Sequence, residues 1–214
     1  MKVVPMEVTY VDHMGSDLSV VNSARVSFNK SVSEFSEKDE GLVKYLARNN
    51  HWTPFGHATA CFRVKAPIFV ARQLVKHQVG LVWNEVSRRY VDDKPEFWLP
   101  DVFHKRPDGN IKQGAGEVME RTDFEERLAK TDTLLANLAY IGRISAGMAP
   151  EEARMFLPLN TMTEWIWTGS LAAWARVCKL RLDPHAQAAT RTIAEKIDVE
   201  MAKLFPVSWN ALME

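Results

Sequence analysis

Ala58-Thr59-Ala60-Cys61-Phe62-Arg63-Val64-Lys65-Ala66-Pro67 is the stretch on which the fold turns. Ala58, Ala60, Phe62 and Val64 alternate with Thr59, Cys61, Arg63 and Lys65, the period-two pattern of a half-buried strand over Ala58–Lys65. Pro67 then suits the first position of a helix, because it has no N–H to lose there and its φ is already helical. Ile68, Phe69, Val70, Ala71, Leu74 and Val75 supply that helix's core side, with Gly80 as its expected end. Upstream, Lys2–Val11 and Ser23–Phe28 read as short extended segments. Ser36 reads as the N-cap of a helix that buries Leu42, Val43, Tyr45 and Leu46 and ends at Asn49-Asn50. Downstream, Val102–Gly116 reads as a surface loop and Glu117–Ser145 as a long helix. Pro150 opens a short helix that Pro158 closes, Thr168 caps another through Leu180, and Asp183-Pro184 starts the last. There Ala189, Ile193, Ile197 and Met201 step by four toward Leu204. Strands do not alternate regularly with helices. The expectation is therefore an α+β fold, a mainly antiparallel sheet packed with helices, in one domain spanning residues 1–214.

Composition narrows the function classes. The 214 residues carry 27 Lys+Arg and 27 Asp+Glu, so a polyanion binder acting through bulk charge is excluded while a local basic site is not. No nucleic-acid motif is present. No apolar run approaches the roughly 18 residues of a membrane span, and Met1–Tyr10 lacks the pattern of a signal peptide. Cys61 and Cys178 form neither a C-x-x-C pair nor a zinc spacing. A cytoplasmic protein with two reduced, buried thiols is expected.

The window Ala58–Tyr90 holds Arg63, Lys65, Arg72, Lys76, Arg88 and Arg89 against the single acid Glu85, a candidate anion site. Gln73, Lys76 and His77, spaced i, i+3, i+4, would share one helix face, either solvated or offering donors to a phosphate or polar heterocycle. Glu85, Ser87 and Arg89 alternate, so an extended chain turns them to one side, as a salt-bridged edge or as a reader of a ring and a phosphate. Arg154 and Arg181 each read as an ordinary ion pair or as an anion clamp. Trp83 lies inside the basic motif and could stack on a ligand. Cys61 reads as a small buried hydrophobe, and P-loop and dinucleotide cradles are absent.

Arg72-Gln73-Leu74-Val75-Lys76-His77-Gln78, followed by Asn84-Glu85-Val86-Ser87-Arg88-Arg89-Tyr90, resembles the signature of the flavin-dependent thymidylate synthases. His51-Trp52-Thr53-Pro54-Phe55-Gly56-His57, Ala153-Arg154 and Leu180-Arg181-Leu182-Asp183-Pro184 agree in order. The resemblance implies an FAD enzyme that converts dUMP to dTMP, with methylenetetrahydrofolate as carbon donor and NADPH as reductant. It implies a homotetramer whose active sites are shared between subunits. It places Thr53, Lys76, His77, Gln78 and Glu85 at FAD, and His51 near folate and flavin. Around dUMP it places Gln73, Lys76, Glu85, Val86, Ser87, Arg88, Arg89, Arg154 and Arg181, with Arg181 polarising the uracil. Such chemistry uses the flavin and no cysteine nucleophile. The chain departs from the family pattern at several positions. Lys76 and Gln78 replace the arginines of R-H-R, and eight residues instead of seven precede Ser87. Leu81-Val82-Trp83 stands in place of a serine-bearing stretch, and Ser170 and Arg176 stand at flavin-side positions usually held by other residues. Hydroxymethylation of a related pyrimidine nucleotide, or a silent nucleotide-binding homologue, are the alternatives.

Overall fold

In the computed structural model, which describes residues 1–107, 115–120 and 123–214, the quoted stretch is the second strand of a four-stranded sheet. Lys2–Val3 (β1) ends before Pro5 and pairs in parallel with Glu96–Phe97 (β5). The main sheet is built from Glu7–Met14 (β2), Thr59–Pro67 (β3), Leu81–Glu85 (β4) and Met162–Ser170 (β6), in the order β2-β3-β6-β4. Every neighbouring pair in it is antiparallel. The expected α+β class with a mainly antiparallel sheet is what forms.

Alternation decides which face of β3 is covered. Ala60, Phe62 and Val64 are fully buried while Arg63 between them is exposed. Phe62 meets Trp174 edge-on with centroids 5.2 Å apart, and the Trp174 indole N–H donates to the Ala60 carbonyl at 3.1 Å. Trp165, Trp167, Trp174, Trp209 and Phe205 complete a tryptophan-rich core. The helices around it are Asp17–Arg25 (α1), Glu37–Arg48 (α2), Ile68–Leu74 (α3), Asp123–Ser145 (α4) and Pro150–Ala153 (α5). Leu171–Arg181 (α6), Ala188–Leu204 (α7) and Pro206–Met213 (α8) follow. The Asp17 carboxylate, far away in sequence, accepts from Val207 N–H (3.0 Å) and Ser208 N–H (2.8 Å) and so caps the start of α8.

Several expected elements differ. Ser23–Phe28 is not extended: the residues from Asp17 to Arg25 bury Val20 and Val21 as a helix, and Val26–Phe28 adds a 3-10 turn with Val26 and Phe28 exposed. Thr168 caps nothing. It pairs with Cys61 and Val82 inside β6, and Ser170 caps α6 by accepting from Ala173 N–H at 3.3 Å. Asp183-Pro184 forms a turn, with the Asp183 carboxylate accepting from His185 N–H at 2.7 Å, and α7 begins only at Ala188. The long helix begins at Asp123, since Val118 bridges to His104. Residues 108–114 of the expected loop lie outside the described residues. Pro67 precedes α3 as its N-cap, and α3 stops at Leu74, well before Gly80. Of the α2 face, Tyr45 is exposed while Val43 and Leu46 are buried. Cys178 is buried and Cys61 half-buried; both are free thiols.

Ser36 does open α2, through a buried acid. The Asp39 carboxylate accepts from the Ser36 hydroxyl (2.6 Å) and backbone N–H (2.9 Å), and Arg25 donates to it at 2.5 Å. Asp39 is 1% exposed. The Ser36 hydroxyl, then Arg25, hold its carboxyl below the usual aspartate range. A depressed folded-state pKa stabilises the fold above the unfolded value of about 3.9, and that contribution is lost as pH falls through the folded value. Asp39→Asn is therefore expected to lower the melting temperature by roughly 4–8 °C at pH 7. The gap between the wild-type and variant curves narrows as pH falls below about 4 toward the depressed aspartate value, which thermal melts across pH will check.

Candidate active site

Two polar clusters lie at opposite ends of β4. The first opens into a cavity of ≈ 1140 Å³ lined at its polar end by Glu85, Val86, Ser87, Arg88, Arg89 and Arg154. The chain turns at Ser87, where Tyr90 N–H donates to the Ser87 carbonyl at 3.1 Å. Residues of both parities therefore reach one space, where a straight strand would present only Glu85, Ser87 and Arg89. The Ser87 hydroxyl oxygen accepts from Arg89 Nε at 3.1 Å, which leaves the hydroxyl proton for a ligand. Arg88 donates to the Asp93 carbonyl (2.9 Å) and Arg154 to the Glu151 carbonyl (3.1 Å). Arg154 is carried by the 3-10 turn Arg154–Phe156 that follows α5. Among the described residues none of these three arginines is paired with a carboxylate, so three guanidinium charges remain for an anion.

Two other cations of the wall share one carboxylate. Lys2 and Lys65 both bind Glu96, each at 2.5 Å, and Arg63 pairs with Glu164. The two lysines, Lys2 foremost, keep the Glu96 carboxyl low. Leu134, Leu138, Ile141, Leu157 and Met162 give the cavity an apolar wall. Lys65 was read as part of the basic window, while Lys2 and Thr163 went unread in the sequence. Lys65 has the signal of alternation along β3, whereas Lys2 and Thr163 have none.

The second cluster surrounds the turn before β4. Arg181 Nε donates to His77 Nε2 at 2.9 Å. Burial first, then the charges of Arg181 and Arg176, push the His77 imidazole below its ordinary pKa. His77 is thus neutral at pH 7, with Nε2 accepting and Nδ1 carrying the proton. Burial also lowers Arg181, which still stays charged at neutral pH. Arg176 donates to the Val79 carbonyl at 2.5 Å, beside Gly80 at φ +77°. A Cβ on Gly80 would lie 3.0 Å from the Ala173 methyl, so the turn passes α6 where only glycine fits. Gln73 accepts from the buried Thr190 hydroxyl at 2.6 Å, which fixes its amide with the NH2 group left to donate.

Gln73, Lys76 and His77 do not share a helix face, because α3 ends at Leu74 and the last two sit on the following turn. Lys76 and Gln78 are exposed along that turn, with His77 half-buried between them. Thr53 and His51 lie exposed at and before the 3-10 turn Thr53–Gly56. Ser170 is the cap of α6. Trp83 stacks on Trp165, with centroids 4.2 Å apart and planes 18° apart, so one of its faces is taken up by the core. Cys178 is no nucleophile, since burial raises its thiol far above neutrality. Among the described residues no cluster of three or more metal ligands forms, and no helix is long and apolar enough to cross a membrane.

The five residues of β4 span about 16 Å. Within one copy, then, the cavity holds Arg88, Arg89 and Arg154 but not Gln73, His77 or Arg181.

Residues 9–207 match the family described as thymidylate synthase complementing protein. A flavin-dependent thymidylate synthase of Wolbachia pipientis wMel is 40% identical over 208 residues, covering 95% of this chain and 72% of that protein. An enzyme of the same name from Thermus thermophilus is 38% identical over 209 residues, covering 97% of this chain and 75% of that one. The UMP/dUMP methylase PolB from Streptomyces cacaoi, crystallised with 5-Br dUMP, superposes with a TM-score of 0.87 at 30% identity. That match covers 99% of this chain and 96% of PolB. Sequence kinship along almost the whole chain thus agrees with the shape of the fold, and the chain belongs to the flavin-dependent thymidylate synthases.

Proposed function

We propose that this chain methylates carbon 5 of dUMP, with FAD as cofactor, methylenetetrahydrofolate as carbon donor and NADPH as reductant. The observation that carries the reading is the set of three guanidiniums, Arg88, Arg89 and Arg154, left without a carboxylate partner among the described residues around Ser87. A nucleotide phosphate dianion supplies the missing charge, and forked guanidiniums hold its oxygens. The Ser87 hydroxyl donates to the same group. Gln73, with its amide fixed by Thr190, offers donors to a uracil carbonyl. Arg181, held through Nε by neutral His77, keeps its terminal nitrogens for the ring and draws electron density toward a carbonyl oxygen.

The donors around the Gly80 turn fit a flavin dinucleotide. Lys76 and Arg176 offer two cations to a diphosphate, with His77 Nδ1–H, Gln78, Ser170 and Thr53 as further polar partners and Glu85 contributed from the cavity of another copy. FAD bound there supplies the hydride that completes the methyl group. Because the two clusters occupy opposite ends of β4, a complete site combines the cavity of one copy with the Gln73–His77–Arg181 cluster of another, in a homotetramer. A cytoplasmic, single-domain protein is part of the same reading.

Purified protein is expected to be yellow and to release the 5-hydrogen of dUMP when given folate and reductant. Colourless protein that gains no flavin spectrum on adding FAD and dUMP would defeat the proposal. Product mass separates methylation from hydroxymethylation. Since PolB has also been crystallised with 5-Br UMP, at 29% identity to this chain, UMP belongs in the same assay. Turnover of UMP at a rate comparable to dUMP would widen the substrate to both sugars.

A further inference from the structure

We infer that Thr163 and Trp83 are positioning residues that clamp the Glu85 carboxylate, keeping it off the neighbouring arginines and presenting it to the nucleotide. The inference rests on the proposed nucleotide chemistry of the cavity. Its geometry is explicit. The Thr163 hydroxyl donates to Glu85 Oε1 at 2.7 Å, and the Trp83 indole N–H donates to Oε2 at 3.2 Å. Trp83 precedes Glu85 by two residues on β4 and so shares its side of the strand. Thr163 arrives from β6, where the register sets Glu85 opposite Trp165 and Trp83 opposite Trp167.

Both donors are themselves immobile. Trp83 is stacked on Trp165 and meets Trp167 edge-on at 5.3 Å. Thr163 lies within the paired part of β6, opposite Ala66 of β3. An indole N–H can only donate, so it fixes one carboxylate oxygen as an acceptor. A free glutamate rotates broadly about its last torsion, and a bond to each oxygen removes that freedom.

The clamp answers a problem of the site. Glu85 lines the same cavity as Arg88, Arg89 and Arg154, yet among the described residues it makes no ion pair with any of them. An unrestrained carboxylate there would swing onto a guanidinium and compete with the phosphate for it. Held at both oxygens, Glu85 leaves the arginines to the phosphate. Its remaining lone pairs serve an N–H or O–H donor of the ligand, such as a ring N–H or a sugar hydroxyl.

The test is steady-state kinetics with dUMP on Thr163→Val, Thr163→Ser, Trp83→Phe and Glu85→Gln, together with the double variant T163V/E85Q. Thr163→Val is expected to raise KM for dUMP on the order of tenfold, with kcat changed less than about threefold. Thr163→Ser, which keeps the hydroxyl, restores the wild-type KM. Trp83→Phe keeps a ring on Trp165 and raises KM by a smaller factor. In the Glu85→Gln background Thr163→Val adds nothing, because its effect passes through the carboxylate. An unchanged KM in Thr163→Val, failure of serine to rescue, or full additivity with Glu85→Gln would overturn the inference while leaving the thymidylate reading intact. Wild-type protein that neither binds nor turns over dUMP removes that reading, and the inference with it.

Discussion

Arg181→Ala is expected to lower kcat/KM for dUMP by about a thousandfold while the protein melts within a few degrees of wild type. Arg181 is half-buried, and its Nε is committed to His77. The guanidinium is therefore held in place before any ligand arrives. A preorganised cation aimed at an oxygen that gains charge is worth roughly two to three orders of magnitude in rate when removed. The fold loses little, since the residue makes one hydrogen bond to a side chain that stays neutral without it. Conversion of labelled dUMP and a thermal melt on the same preparation check both halves. A rate within about threefold of wild type would remove Arg181 from the chemistry. His77→Ala should fall between the two, because it frees Arg181 without deleting it.

The second large effect is complementation. Arg154→Ala destroys part of the cavity, and Arg181→Ala destroys the other cluster. In one copy these groups lie at opposite ends of a strand about 16 Å long. If each active site draws the two clusters from different copies, mixed assemblies of the two inactive variants contain some sites with both arginines. Random exchange would restore about a quarter of wild-type activity, since half of the copies supply each intact cluster. If a single copy supplied both, every site would lack one arginine and the mixture would stay as inactive as its parts. Unfolding and refolding the two variants together, then assaying dUMP turnover against the separately refolded variants, distinguishes the cases.

How far the chain could be read without its fold varied by element, for physical reasons. Ala58–Lys65 was legible because one face of β3 is buried and the other is not, which prints a period of two on the residues. Met162–Ser170 carries the same mark in Trp165 and Trp167, but it ends in Thr168-Gly169-Ser170, which looks like a helix start. The true cap lies two residues beyond Thr168. Ser23–Phe28 misled because five alternating residues are too few to distinguish a strand from the last turn of a helix followed by an exposed 3-10 turn. In the site, Glu85, Ser87 and Arg89 were legible by alternation and Val86 and Arg88 only through the family resemblance, and the turn at Ser87 is what brings both sets to one space. Gln73, Lys76 and His77 were misplaced because a helix of constant phase was extended past Leu74.

From its residues alone the chain determined its inventory. It has a balanced charge with a local excess of guanidiniums, two cysteines in neither a redox nor a zinc spacing, and motifs shared with the flavin-dependent thymidylate synthases. Such features are local, set by residue type and short spacing. Which of those groups meet was left to the tertiary structure. Gln73 finds Thr190 across 117 residues, His77 finds Arg181 across 104, and Glu85 finds Thr163 across 78. Each meeting depends on the sheet order β2-β3-β6-β4 and on the helices packed around it. That order minimises the exposed apolar surface of the whole chain at once, a global quantity that no short window of residues contains.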